Sequence, residues 1–520
     1  MDWKRHIIFI VVLGVLVLQG CSFLDEKPSF ALTEEETYAS MDALRKNAVL
    51  SIYRYIGGVK DSEGLQGTGR GVYDLNSFTT DEQIMPTRGG DWYDGGYWQK
   101  LHLHAWDADD RSIDDTWCYL FKVVMLCTKG IEQLQSYNRE DANQKELTCL
   151  IAELRALRAM YYFYLVDMYG RVPVVTKSTV SADSLELADR KDVYSFAVNE
   201  LREAKQNLSY VKSTDPLGAL YGRMTCDVAQ FVLMKLYLNH PVYTGSEQKA
   251  LYDSVLTISD DLSLSYSLED DLMANFSLDN ERSRENIFVI PREVGLYDAR
   301  YNYFHRSAHY NHAVAIGIGG ENGTSATLQT LKVFGYKTER QDPRFDRYFY
   351  YDTIYENGTL VMAEDGVTPL VYYADKVQLD LSGTPYEKNA GARLKKYEFD
   401  PNGLHDATVG RNDIVLFRYA DVLLMRAEAL VRLGRNASSE VNAVRSRAGA
   451  AELELPPTLD DIYYERWREL MWEGWHRNDM IRFGKWTTDG LNPANDHTTV
   501  FPIPEDMMVM HPKWIQNSGY

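Results

Sequence analysis

Apolar residues recur at helical spacing in two long stretches of the chain. In NQKELTCLIAELRALRAMYYFYLVDMYG, Leu147, Leu150, Ile151, Leu154, Leu157, Tyr161, Phe163, Leu165 and Met168 recur at near-helical spacing. Gly170 and then Pro173 supply the stop. DIVLFRYADVLLMRAEALVRLG repeats the pattern with Leu416, Tyr419, Ala420, Leu423, Leu424, Ala427, Leu430 and Val431, closed by Gly434. Ala420 and Ala427 on that face would let another helix approach closely. VNAVRSRAG and DIYYERWRELMWEGW read as two more helices, and residues 33–56, 112–137, 190–208 and 225–239 as others. Paired helices joined by short loops predict a mainly α, tetratricopeptide-like scaffold, although no consensus repeat recurs cleanly.

Two regions lose this periodicity. Residues 57–110 are rich in Gly, Asp and aromatics, as in TRGGDWYDGGYWQKLHLHAWDADD, and residues 265–410 mix short apolar runs with Gly, Asn and Asp. Long irregular segments in a folded chain are uncommon unless they bind something, so function is expected there.

The N-terminus carries a different signal. Lys4 and Arg5 precede an apolar or small run from Ile7 to Leu18. That run is too short to span a bilayer comfortably and has the length and flanks of a signal-peptide core. Leu18-Gln19-Gly20-Cys21 then resembles a lipobox, in which Cys21 becomes the acylated first residue of the mature protein. Several acyl chains would anchor it firmly, at about 0.8 kcal/mol per buried methylene.

Composition narrows the classes. A net charge of −20 argues against nucleic acid as a partner, because phosphate neutralisation by Lys and Arg dominates that affinity. A hydrophobic content of 45% excludes a disordered chain. Cys118, Cys127, Cys149 and Cys226 form no C-x-x-C pair, and small buried thiols are the simplest reading of them. Aromatics reach 12% of the chain; Tyr and Trp join a flat apolar face to a polar edge, which suits a partly wet recognition surface.

The search for chemistry is mostly negative. Gly317 and Gly319 lack the third glycine of a dinucleotide fingerprint, since residue 322 is Asn322. His102 and His104 alternate without a clear third ligand, so no metal is expected. There is no nucleophile elbow, zinc-protease helix or P-loop. The charges Glu465, Arg466, Glu469, Glu473, Arg477, Asp479 and Arg482 recur at three- and four-residue spacings, which reads as ion pairing on a helix surface. No catalytic residue and no cofactor are expected.

The blocks CSFLDEKP, AELRALRAMYYFYLVDMYGRVPVVT, FRYADVLLMRAEALVRLG, VNAVRSRAG, ERWRELMWEGWHRNDMIRFGKW, FPIP and the terminal QNSGY together resemble the SusD/RagB family of outer-membrane nutrient-binding lipoproteins. His476 stands where that family usually has arginine, with Arg477 one place later, which bears on the local ion pairing. The resemblance implies a non-enzymatic, outward-facing glycan-binding protein, anchored in the outer membrane through lipidated Cys21. It further implies delivery of oligosaccharides to a SusC-type TonB-dependent transporter. The organisation expected is a signal peptide over 1–20, a SusD-like region over 21–240 with a binding loop at about 57–110, and a second region over 241–520, loop-rich at 265–410 and helical at 411–485.

Sugar rings offer C–H patches to aromatic faces and hydroxyls to polar groups. Arg88, Asp91, Trp92, Asp94 and Trp98 supply that mixture in one segment, and Tyr297, Tyr301, Tyr303, Phe304, His309 and Tyr310 in another. A helical scaffold for a protein partner and a glycoside hydrolase are the competing readings. The hydrolase needs a carboxylate pair that the sequence does not single out.

Overall fold

Every residue from Ala156 to Gly170 is buried. A helix with no solvent face belongs at the centre, and this one does. The computed structural model describes residues 37–58, 60–66, 69–292, 303–400, 402–403, 410–488 and 496–520. Its frame consists of α1 (Arg111–Ser136), α2 (Gln144–Met168), α3 (Arg190–Lys205), α4 (Cys226–Thr244), α5 (Lys249–Ser263), α6 (Tyr419–Arg432), α7 (Ser438–Arg447), α8 (Leu459–Leu470) and α9 (His476–Arg482). From α1 to α5 each helix packs on the one before it, and α6 then packs on α5. This is the expected tetratricopeptide-like succession. Asn143 caps α2 by accepting the Glu146 N–H at 3.2 Å, and a Thr458–Asp461 capping box opens α8. The predicted helix over 33–56 is broken where described: a π-helical turn, Lys46–Leu50, separates Met41–Arg45 from Ser51–Gly57.

The chain leaves the frame after α5 and returns at α6 through one gateway. Strand Asn286–Ile290 pairs antiparallel with Ile414–Arg418, register Ile290 to Ile414, and both strands are wholly buried. Leu416 therefore lies on a strand, not on the helix that begins at Tyr419. Four consecutive apolar residues, Ile414 to Phe417, are ambiguous by periodicity, and burial on both faces selects the strand. Residues 57–110 fold onto the segment beyond the gateway. Strand Gln83–Ile84 pairs with Ser325–Ala326, and buried Arg306 donates twice to Asp74, at 2.7 Å each.

The charged stretch after residue 464 does not form a surface. Glu465, Arg466, Glu469, Arg477 and Asp479 are at most 2% exposed. Glu469 meets Arg344 at 3.0 Å and Arg418 at 2.7 Å, and also pairs with Arg447. Glu473 meets Arg418 and Lys396. On the other side of α8, Arg466 bridges Asp421 and Asp479, and Arg482 bridges Asp479 and Glu428. Three- and four-residue spacing gives a stripe but not the direction it points. Here partners from distant segments draw the stripe inward.

His476 Nε2 lies 2.9 Å from Asp81 Oδ1, beneath the Trp467 ring. Arg477 lies over Trp486 and Phe501, and burial lowers its pKa to about 10. The departure at position 476 thus still yields an ion-pairing geometry, with imidazole in place of guanidinium. Of the cysteines, Cys127 and Cys226 are buried as read, whereas Cys118 is exposed on α1. His104 stacks on Trp486, 4.8 Å between ring centroids, as a packing residue.

Candidate functional site

Three loop segments converge beside the gateway insertion, and a tight turn fixes the first of them. Arg88 and Asp91 exchange backbone hydrogen bonds of 2.9 and 3.2 Å across Gly89-Gly90. Gly89 has φ +67°, a backbone that favours glycine, and a Cβ there would have to displace the Glu387 carboxylate 2.6 Å away. Trp92 (φ +61°) and Asp94 (φ +45°) also adopt left-handed backbone, a strained conformation for side-chain-bearing residues that tends to mark functional loops. Between them Tyr93 is turned outward, 53% exposed.

The other loops hold this turn in place. Trp92 donates its indole N–H to Glu321 O at 2.8 Å, and its ring lies so close over Gly323 that a Cβ there would clash at 2.7 Å. Tyr310 O–H donates to Asp91 Oδ2 at 2.7 Å, and Lys388 Nζ reaches the same oxygen at 3.0 Å. The Tyr310 hydrogen bond and the Lys388 ammonium hold the Asp91 carboxyl below its ordinary range, so it is a charged acceptor. Asp94 Oδ2 accepts from Arg70 and from the Trp98 indole, each at 2.8 Å. Tyr373, 38% exposed, lies beside residues 389–391 through backbone bonds to Asn389 and Gly391, and its ring meets Tyr386 edge-on.

The structure divides the sequence candidates between an upper and a lower layer. Asp91, Trp92, Asp94 and Tyr310 reach the surface. Arg88, Trp98 and His309 lie beneath it, 0%, 2% and 1% exposed, and none of them can stack on a ligand from there. Arg88 donates to Ser325 Oγ, Ala390 O and Glu387 O at 2.9–3.0 Å, tying the loops together. Burial, the Arg393 guanidinium and then Arg88 push the His309 imidazole down to about 3, so it is neutral; its Nδ1 accepts the Asn311 N–H. Tyr303 and Phe304 open the short helix Tyr303–Ser307. Cys21, Tyr297 and Tyr301 lie outside the described residues.

Tyr93, Tyr373, Tyr386 and Lys388 are further candidates that the sequence reading passed over. Tyr93 sits inside the aromatic stretch already singled out. The other three occupy a long irregular region, where tertiary pairing brings Lys388 to Asp91 and Tyr373 to Tyr386. The assembled surface offers partly exposed rings, fixed carboxylates and an ammonium group, a set suited to a polyol with apolar ring faces. Two cavities of about 530 and 690 Å³ open elsewhere, lined by residues such as Trp514 and Arg171 in one and Tyr221 and Asp413 in the other.

Residues 22–238 match a family model described as starch-binding associating with outer membrane, and residues 265–500 match the model of the SusD family. The starch-binding protein SusD of Bacteroides thetaiotaomicron is 25% identical over 508 residues, covering 88% of this chain and 87% of its own. A SusD-like protein of Bacteroides ovatus is 24% identical, covering 93% and 83%. The fold matches surface glycan-binding protein A of Bacteroides thetaiotaomicron, solved with laminarihexaose, at a TM-score of 0.71 and 19% identity, over 92% of this chain and 99% of that one.

Proposed function

Because the chain belongs to the SusD/RagB family, we propose that it is a cell-surface glycan-binding protein whose site is the loop surface around Trp92, Tyr93, Asp91 and Tyr310. The observation that carries the reading is the Tyr310–Asp91–Lys388 cluster beside exposed aromatic rings: rigidly held polar groups at the edge of a stacking surface. Relatives named for starch and laminarin binding support the ligand class. The protein is anchored in the outer membrane by acylated Cys21, faces outward, and passes captured oligosaccharides to a SusC-type TonB-dependent transporter. It performs no chemistry on them. Asp91, charged and held through Oδ2 by Tyr310 and Lys388, suits hydroxyl recognition better than proton donation.

Affinity electrophoresis in gels containing polysaccharide, run alongside a reducing-end assay, tests this reading. Retardation without new reducing ends is expected. Turnover abolished by one carboxylate substitution would make the protein a hydrolase, and absence of retardation in every polysaccharide would favour a protein-binding scaffold.

A further inference from the structure

Resting on the glycan-binding reading, we infer that this surface selects neutral oligosaccharides and rejects those bearing uronate or sulfate groups. The charges of the converging loops carry the inference. Recognition of an anionic sugar calls for a guanidinium or ammonium free to make charge-assisted bonds. Among described residues 70–98, 305–323 and 386–393, each Lys and Arg is already engaged. Lys388 Nζ lies 3.0 Å from Asp91, and Arg70 Nη2 lies 2.8 Å from Asp94. His305 Nε2 is 3.3 Å from Glu321. Arg88 and Arg393 are wholly buried, and most of their hydrogen bonds go to the carbonyls of Gly323, Glu387, Lys388 and Ala390.

Carboxylates, by contrast, ring the surface. Asp91, Asp94 and Glu321 face the groups they pair with, while Glu364, near enough to Tyr310 to raise the pKa of its hydroxyl, and Glu387, which stands against Gly89, add further negative charge. An acidic sugar within about 8 Å, the screening length at physiological salt, meets chiefly the Glu364 and Glu387 charges. A neutral ring meets hydroxyl acceptors and aromatic faces instead.

The two paired cations also make the inference testable by gain of function. Asp91→Asn keeps an oxygen for the Tyr310 hydroxyl but releases Lys388, and Asp94→Asn likewise releases Arg70. Full-length protein and both variants are titrated with a panel of neutral glucan and galactan hexaoses, galacturonate hexaose and a sulfated galactan hexaose, at low and at physiological salt. The expected result is that the wild type binds a neutral member at least tenfold more tightly than any acidic one. At least one variant should gain fivefold or more for the acidic members at low salt, a gain lost as salt is raised. Wild-type protein that binds acidic members as tightly as neutral ones overturns the inference and leaves glycan binding standing. So does failure of both variants to gain. Binding to no member overturns the glycan-binding reading itself.

Discussion

The Tyr310 hydroxyl donates to the Asp91 carboxylate at 2.7 Å, joining the Gly89-Gly90 turn to the start of the short helix Tyr310–Ala315, 219 residues away. This bond sets the height of the Gly89-Gly90 turn against the insertion, and with it the orientation of Trp92 and Tyr93. Tyr310→Phe keeps the ring and removes the bond. The lost internal hydrogen bond, about 0.5–1.5 kcal/mol, bounds the effect: glycan binding should weaken by at most roughly two- to tenfold through the displaced turn, with little change in melting temperature. The Asp91 pKa, followed by NMR, should rise in the variant. Because Asp91 is depressed in the folded protein, its contribution is present above the unfolded carboxylate pKa and disappears as pH falls through the depressed value, so acid should weaken the wild-type loop contact.

Trp98 and Tyr93 separate stability from binding. Trp98 packs edge-on against Phe78 and Tyr97, with centroids 4.8 and 4.7 Å away. Trp98→Ala should cost roughly 3–5 kcal/mol of stability and lower the melting temperature sharply. Tyr93→Ala and Trp92→Ala should instead weaken binding, by about 1–3 kcal/mol for a stacking ring on the analogy of base–aromatic stacking. Calorimetric melting and affinity electrophoresis on the same preparations read both effects. Normal glycan binding by the Tyr93 and Trp92 variants would move the site to the 297–310 segment.

Glu82 offers a test through pH. Burial raises its carboxyl to about 7, only partly offset by His476 and the Trp472 N–H, which Glu82 accepts at 2.6 Å. A carboxyl raised on folding holds more protons folded than unfolded. Stability therefore falls as pH rises from its unfolded value near 4.3 through about 7. Glu82→Gln should flatten that fall, raising stability at pH 8 by up to about 3 kcal/mol while changing little at pH 4. Denaturant midpoints at the two pH values check it.

The buried ion network titrates in the opposite sense. Burial alone would raise the Glu469 carboxyl, but Arg447, Arg418 and Arg344 outweigh it and hold the group far below the carboxylate range. Its stabilisation is present above the unfolded value and is lost as pH falls toward the depressed one, so acid should unfold the C-terminal half. Glu469→Gln removes the carboxylate that Arg344, Arg418 and Arg447 share, leaving them only Asp342, Glu465, Glu473 and Glu285 between them, and should cost about 3–5 kcal/mol at pH 7, measured by chemical denaturation.

Cys21→Ala should leave a folded protein that no longer partitions with membranes. Metabolic labelling with a fatty-acid analogue checks the anchor, and equal labelling of variant and wild type would refute it.

Periodicity alone determined much of the frame. α6 was legible because a helix that buries one face must repeat apolar residues every three or four positions, and α2 because a long apolar run between Asn143 and Gly170 exceeds the length of a strand. The irregular regions chosen as candidate site were legible for the complementary reason, that glycine- and aromatic-rich stretches without periodicity make poor frame. Tertiary structure decided the rest, because it supplied partners from afar. The stripe from Glu465 to Arg482 reads as surface until Arg344, Lys396, Arg418 and Asp421 are brought to it. Arg88 reads as a sugar contact until four carbonyl- or hydroxyl-bearing residues of the 323–390 segment surround it. Of the rings in DWYDGGYW, left-handed backbone at Trp92 and Asp94 turns Tyr93 outward while Trp98 packs inside. A local pattern specifies which residues share a face; the direction that face points is set by what the remainder of the chain packs against it.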